Sequence, residues 1–98
     1  MVTVANDYTH AVTLKLSGRQ FTLAPGQQQG PFEYALEANG NDTLEIILVG
    51  LPECGLGDAG GIFAGPGRYR LAVVASRGAC TNADGQPFPG PAFTVKPA

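Results

Sequence analysis

Two cysteines, one histidine and two serines hold most of the reactive chemistry in this 98-residue chain. Cys54 and Cys80 could bind a metal, act as thiols or pair with each other. A metal centre needs more ligands than His10 can add, and no C-x-x-C is present. A blue-copper centre needs two His beside a Cys, so that reading fails too. The pair is read as a disulfide, with two buried free thiols as the alternative. Both Cys sit in glycine-rich segments flanking a strand around Tyr69. Linking them would stabilise the fold by about 3–4 kcal/mol on the chain-entropy model. It also implies an oxidising compartment, secreted or periplasmic. No basic n-region followed by an apolar h-region is present, so an export signal would lie outside this chain.

Nucleophilic catalysis needs a base beside Ser, Cys or Thr. His10 is the only imidazole, and it reads as a surface residue in the turn before the second strand. Ser17 and Ser76 stand at strand ends and read as turn residues. Gly55-Leu56-Gly57-Asp58-Ala59-Gly60 matches G-x-G-x-x-G, which holds pyrophosphate only at a helix N-terminus within a βαβ unit. The following Gly61-Ile62-Phe63-Ala64-Gly65-Pro66 cannot form that helix. Asn82-Ala83-Asp84-Gly85 resembles a fragment of a calcium loop, but calcium needs six to eight oxygens and no further acid follows. A turn is the better reading. Asn41-Asp42-Thr43 is an N-x-T sequon that also fits hairpin composition. The residues therefore point away from an enzyme, a cofactor and a metal.

Charge is sparse: 14% of residues are charged and the net charge is −2. That balance argues against a nucleic-acid binder. No apolar run is long enough for a membrane-spanning helix. Glu33, Glu37, Asp42, Glu45, Glu53 and Asp58 fall in a stretch, 31–58, without Lys or Arg. Cross-strand pairing, such as Glu33 with Arg68 or Arg70, would explain it. The other reading is an acidic face for a basic partner. Phe32, Tyr34, Tyr8 and Phe88 could offer aromatics to a sugar, but such platforms usually include Trp, and none is present.

The elements that would position these residues are strands. Apolar residues make up 44% of the chain, and 14 Gly and 8 Pro fall between short alternating segments. That pattern is many strands joined by turns. Strands are expected at Val2–Ala5, Val12–Ser17, Phe21–Leu23, Phe32–Glu37, Leu44–Val49, Arg68–Ala75 and Phe93–Lys96. Ser17-Gly18 and Asn39-Gly40 are hairpin signals, and Ala24-Pro25-Gly26 suits a type II turn. Gln86 to Pro91 reads as a rigid lead-in to the last strand. Gly50 to Gly67 reads as a long connection carrying seven glycines. Loops of that length are usually functional or disordered. Ile62 and Phe63 would pack on the core, leaving Leu56 and Asp58 to face a partner.

Gly67-Arg68-Tyr69-Arg70-Leu71-Ala72-Val73 has the form G-x-Y-x-L-x-V. It resembles the tyrosine-corner region of immunoglobulin-like and fibronectin-III-like β-sandwiches. The opening, from Val4-Ala5-Asn6 to Leu23-Ala24-Pro25-Gly26, is similar to the first strands of small bacterial secreted sandwich domains. The resemblance implies an all-β, antiparallel two-sheet Greek-key sandwich of about seven strands, one domain over 1–98. It implies that the Tyr69 hydroxyl bonds to backbone. It leaves activity open. The expected function is a non-catalytic exported module that binds a protein through its loops. An inhibitor of an extracellular hydrolase would show a rigid projecting loop. A structural or adhesin module of an envelope protein would show its termini at opposite ends.

Overall fold

Alternation of apolar side chains builds both sheets, because successive residues of a strand face opposite sides. The computed structural model describes residues 1–35 and 42–98. Its strands are β1 (Val2–Asn6), β2 (Val12–Leu16), β3 (Arg19–Leu23), β4 (Gln28–Phe32), β5 (Thr43–Leu48), β6 (Leu51–Ala59), β7 (Tyr69–Thr81) and β8 (Pro87–Pro97). They form two four-stranded sheets, one ordered β4-β1-β7-β8 and the other β3-β2-β5-β6. The core lies between the sheets. Val2, Val4, Leu71 and Val73 meet Val12, Leu14, Leu16, Leu44, Ile46 and Leu48 there, all buried. Burying one such side chain contributes about 1.5–3 kcal/mol.

Local signals set the turns. Ser17 and Gly18 both have positive φ, 43° and 89°, in the two-residue link between β2 and β3. Gln27 N donates to Ala24 O across Pro25-Gly26 at 3.0 Å, and Gly26 takes φ 82°. This is the type II arrangement, with Pro and then Gly at the centre. The Asn39-Gly40 hairpin, Glu37 and the Asn41 sequon position lie outside the described residues.

Four expectations are corrected. Among the described residues there are eight strands rather than seven, because Leu51–Ala59 is a strand and not part of a long loop. It pairs antiparallel with β5 after the two-residue turn Val49-Gly50. Its glycines do not break it. A Cβ at Gly55 would lie 2.8 Å from the Ile46 carbonyl oxygen, so the close approach of β6 to β5 requires glycine. Second, the strand expected at Phe32–Glu37 sits earlier, at Gln28–Phe32, where it pairs with β1. Third, the Pro-rich lead-in belongs to β8: Pro87, Pro89 and Pro91 stand opposite Thr81, Ala79 and Ala75. An edge strand tolerates them because one side of its backbone has no partner. Fourth, the sheets are not wholly antiparallel, since β1 and β7 run parallel from Val2↔Tyr69 to Asn6↔Val73.

The Tyr69 hydroxyl donates to the Gly65 carbonyl, four residues upstream, at 2.6 Å. Its half-buried ring packs on Phe63, with centroids 5.0 Å apart. Phe63 is buried and Ile62 packs against the core, as their apolar character requires. Tyr69→Phe removes the donor and leaves the carbonyl unpaired. The expected loss is about 1 kcal/mol. An unchanged denaturant midpoint would show that the corner adds no stability.

Candidate functional site

The longest pair of strands runs past the end of its neighbour β1. β1 pairs with β7 only as far as Val73, while β8 follows β7 to Thr81. Beyond Val73 the two strands form a ribbon, with Asn82 to Gln86 at its tip. A two-stranded ribbon alone is marginal in water. This one is braced at three places.

The first brace is the Cys54–Cys80 disulfide, with Cα atoms 5.8 Å apart. Cys54 reaches it from an irregularity in β6, where Ile47↔Gly55 is followed by Leu48↔Leu51. Three residues, Pro52 to Cys54, bulge from the ladder there and turn Cys54 inward. Gly90 fits beneath the bridge: a Cβ added to it would lie 3.1 Å from the Cys80 sulfur. The second brace is the Tyr8 hydroxyl, which donates to the Pro89 carbonyl. Burial pushes that phenol above its usual pKa. The third is His10, half-buried rather than on the surface, which stacks on Phe88 with ring centroids 4.6 Å apart. Its Nδ1 bonds Thr9 Oγ1 at 2.9 Å. Ser17 and Ser76 are instead engaged with the backbone of Thr43 and Gly78.

The tip is held from within. The Asn82 side-chain oxygen accepts from Asp84 N and Gln86 N, both at 2.9 Å. Asn82 N donates to Gln86 O, Gly85 N donates to Asn82 O, and Gly85 has φ 79°. The Asn82–Gly85 segment is therefore the turn expected from its composition. Ala83, Asp84 and Gln86 stand exposed at the end.

The brace at Tyr8 depends on Asn6, which sequence reasoning overlooked. Asn6 is fully buried at the end of β1. Its Nδ2 donates to His10 O at 2.9 Å and Leu23 O at 3.0 Å, and its Oδ1 accepts from Tyr8 N. Its own backbone binds Gln27 O and Gly26 N. One side chain thus shapes the β1–β2 loop and ties it to the end of β3. The available signal was a polar Asn directly after the alternating segment Val2–Ala5.

No family model, curated protein or solved structure matches the chain. The remaining charged residues are spread apart. Arg70 grips Asp7 with two bonds, at 2.8 and 3.1 Å. The guanidinium hydrogen bond holds the Asp7 carboxyl below its ordinary range. Both side chains are over 40% exposed, so the pair contributes at most about 1 kcal/mol. The expected pairing of Glu33 with Arg68 or Arg70 is not made among the described residues; Arg70 is held by Asp7 instead. Asp42 is buried and accepts from the Tyr34 hydroxyl at 2.7 Å. Among the described residues no cluster of His, Cys, Asp and Glu could hold a metal.

Leu56 and Asp58 lie on β6. Leu56 is half-buried against the core, opposite Ile46. Asp58 is exposed near the end of the strand, opposite Leu44. The outer face of the β3-β2-β5-β6 sheet carries a shallow trough of about 960 Å³. In its floor Lys15 stands between Gln20 and Glu45, and Gly57 lies beyond Glu45. The glycines of β6 leave no side-chain ledge there, which suffices to explain the hollow.

Proposed function

We propose that this protein is a non-catalytic, exported binding module that acts through its loops, with the tip of the β7–β8 arm as its presented element. The observation that carries this reading is the bracing of an otherwise marginal ribbon. A disulfide, a buried tyrosine and a stacked histidine hold an arm whose tip residues Ala83, Asp84 and Gln86 stand exposed. Rigidity of that kind lowers the entropy lost when a partner is bound. The disulfide supports a secreted or periplasmic location. The Tyr69 corner supports kinship with immunoglobulin-like sandwiches.

A projecting rigid arm also favours the second reading, inhibition of an extracellular hydrolase whose cleft receives the tip. Met1 and Ala98 both bond the backbone at Gly67 and Arg68, at the same end of the sandwich and opposite the arm.

The test is a photo-crosslinker placed at Ala83 or at Lys15, with exported proteins as targets. An adduct from Ala83 that Asp84→Arg abolishes, without a change in melting, supports the arm. Equal adducts from Lys15 would reject it. Loss of a captured hydrolase's activity on adding the protein would establish the inhibitor reading.

A further inference from the structure

The two sides of the sandwich close differently. On one, Phe21 of β3 stacks on Phe32 of β4 with centroids 5.1 Å apart, and the Arg19 guanidinium covers Phe32 at 4.8 Å. On the other, where β6 faces β8, the Cys54–Cys80 bridge ties β6 to β7. There a recess of about 250 Å³ stays open. Ile62, Phe93 and Val95 give it half-buried apolar walls, and Gly60 and Gly61 add no side chains. Phe93 and Val95 stand opposite Val73 and Leu71, on the core-facing row of β8. Asp58 stands opposite buried Leu44, on the matching row of β6, and lines the mouth.

The Asp58 carboxylate has one oxygen engaged, its Oδ1 accepting from Ala59 N at 2.8 Å. Among the described residues it has no cationic partner, and the Arg70 guanidinium is held by Asp7. Glu53 adds a second negative charge on the same strand, and residues 31–58 contain no Lys or Arg. The recess therefore combines apolar walls with an unneutralised anion at its rim.

We infer that this open seam receives a lysine side chain from an extended segment of a partner protein. The aliphatic stem lies over Ile62, Phe93 and Val95 while the ammonium stays near water and meets Asp58. Lysine fits better than arginine because one free carboxylate oxygen suits a point charge, whereas a guanidinium fork seeks two. The partner backbone runs beside β6, whose outer edge has no neighbouring strand among the described residues. The β8 edge lacks donors at Pro87, Pro89, Pro91 and Pro97. The inference rests on the reading of the protein as a binding module and adds the chemistry of one contact; the arm takes no part in it.

The experiment is an NMR titration with an acetylated, amidated peptide Thr-Val-Lys-Val-Thr, and with peptides bearing norleucine or glutamate in place of the lysine. The expected shifts centre on residues 56–62 and 93–95. The lysine peptide should bind about five-fold more tightly than the norleucine peptide, the strength of one exposed ion pair. Asp58→Asn should erase that advantage, and the glutamate peptide should bind weakest. Asp84→Arg at the arm tip should leave the titration unchanged, so the seam and the arm are judged separately. Equal affinities for lysine and norleucine, shifts elsewhere, or no shifts at millimolar peptide would overturn the inference. So would an Asp58→Asn protein that dimerises with unaltered peptide affinity, since the carboxylate would then only guard the edge.

Discussion

Replacing Cys54 and Cys80 together with alanine should lower stability by about 3–4 kcal/mol. The bridge spans 26 residues of sequence, and its loss frees that loop in the unfolded chain. The native state should change as well. Cys54 anchors the bulge of β6, and Cys80 lies on the ribbon past the end of β1. Without the bridge, only Tyr8 and the His10–Phe88 stack hold the arm. Amide exchange from Ala79 to Phe88 should then rise more than the global loss of stability accounts for. A uniform rise would show that the bridge constrains only the unfolded chain. A fall below about 1 kcal/mol in urea unfolding would contradict the entropic account.

Asn6→Ala should cost about 3 kcal/mol or more, although Asn6 lies in no cleft. The substitution leaves Tyr8 N without an acceptor and the His10 and Leu23 carbonyls without a donor. Each buried unpaired group costs about 1–3 kcal/mol. The β1–β2 loop would lose its shape, and with it the Tyr8 brace on Pro89. Asn6→Asp separates hydrogen bonding from size. Its buried carboxylate would face two carbonyl oxygens, which favours the protonated form and raises the folded pKa. A raised folded pKa means that the native state binds more protons, so stability should increase as pH falls through that pKa toward the ordinary carboxyl value, about 3.9. Thermal melts across acidic pH would show this, and a flat or opposite slope would refute the assigned hydrogen-bond directions.

The alternation of Val12, Leu14 and Leu16, and of Leu44, Ile46 and Leu48, was sufficient to place β2 and β5. Side-chain period and turn chemistry are local properties, which a short window of residues contains. The same holds for the Ser17-Gly18 and Pro25-Gly26 turns and for the Asn82–Gly85 tip. The match around Tyr69 led to a hydroxyl bond that the fold makes. Elimination among possible ligands led to the disulfide.

Tertiary structure alone decided the rest. Leu51–Ala59 reads as loop because glycine weakens an isolated strand, yet its ladder is supplied by β5, and Gly55 is needed for that approach. The parallel pairing of β1 with β7 joins residues over sixty positions apart, which no local pattern encodes. It ends at Val73 while β7 continues, and so creates the arm. Asn6 acquired its role because the chain brought Tyr8, His10 and Leu23 around one buried amide. Asp58 looked free to face a partner in sequence. Only the packing of β6 beside β8 placed it over an apolar seam, because edge contacts between sheets depend on which strands end side by side and not on the residues of either strand alone.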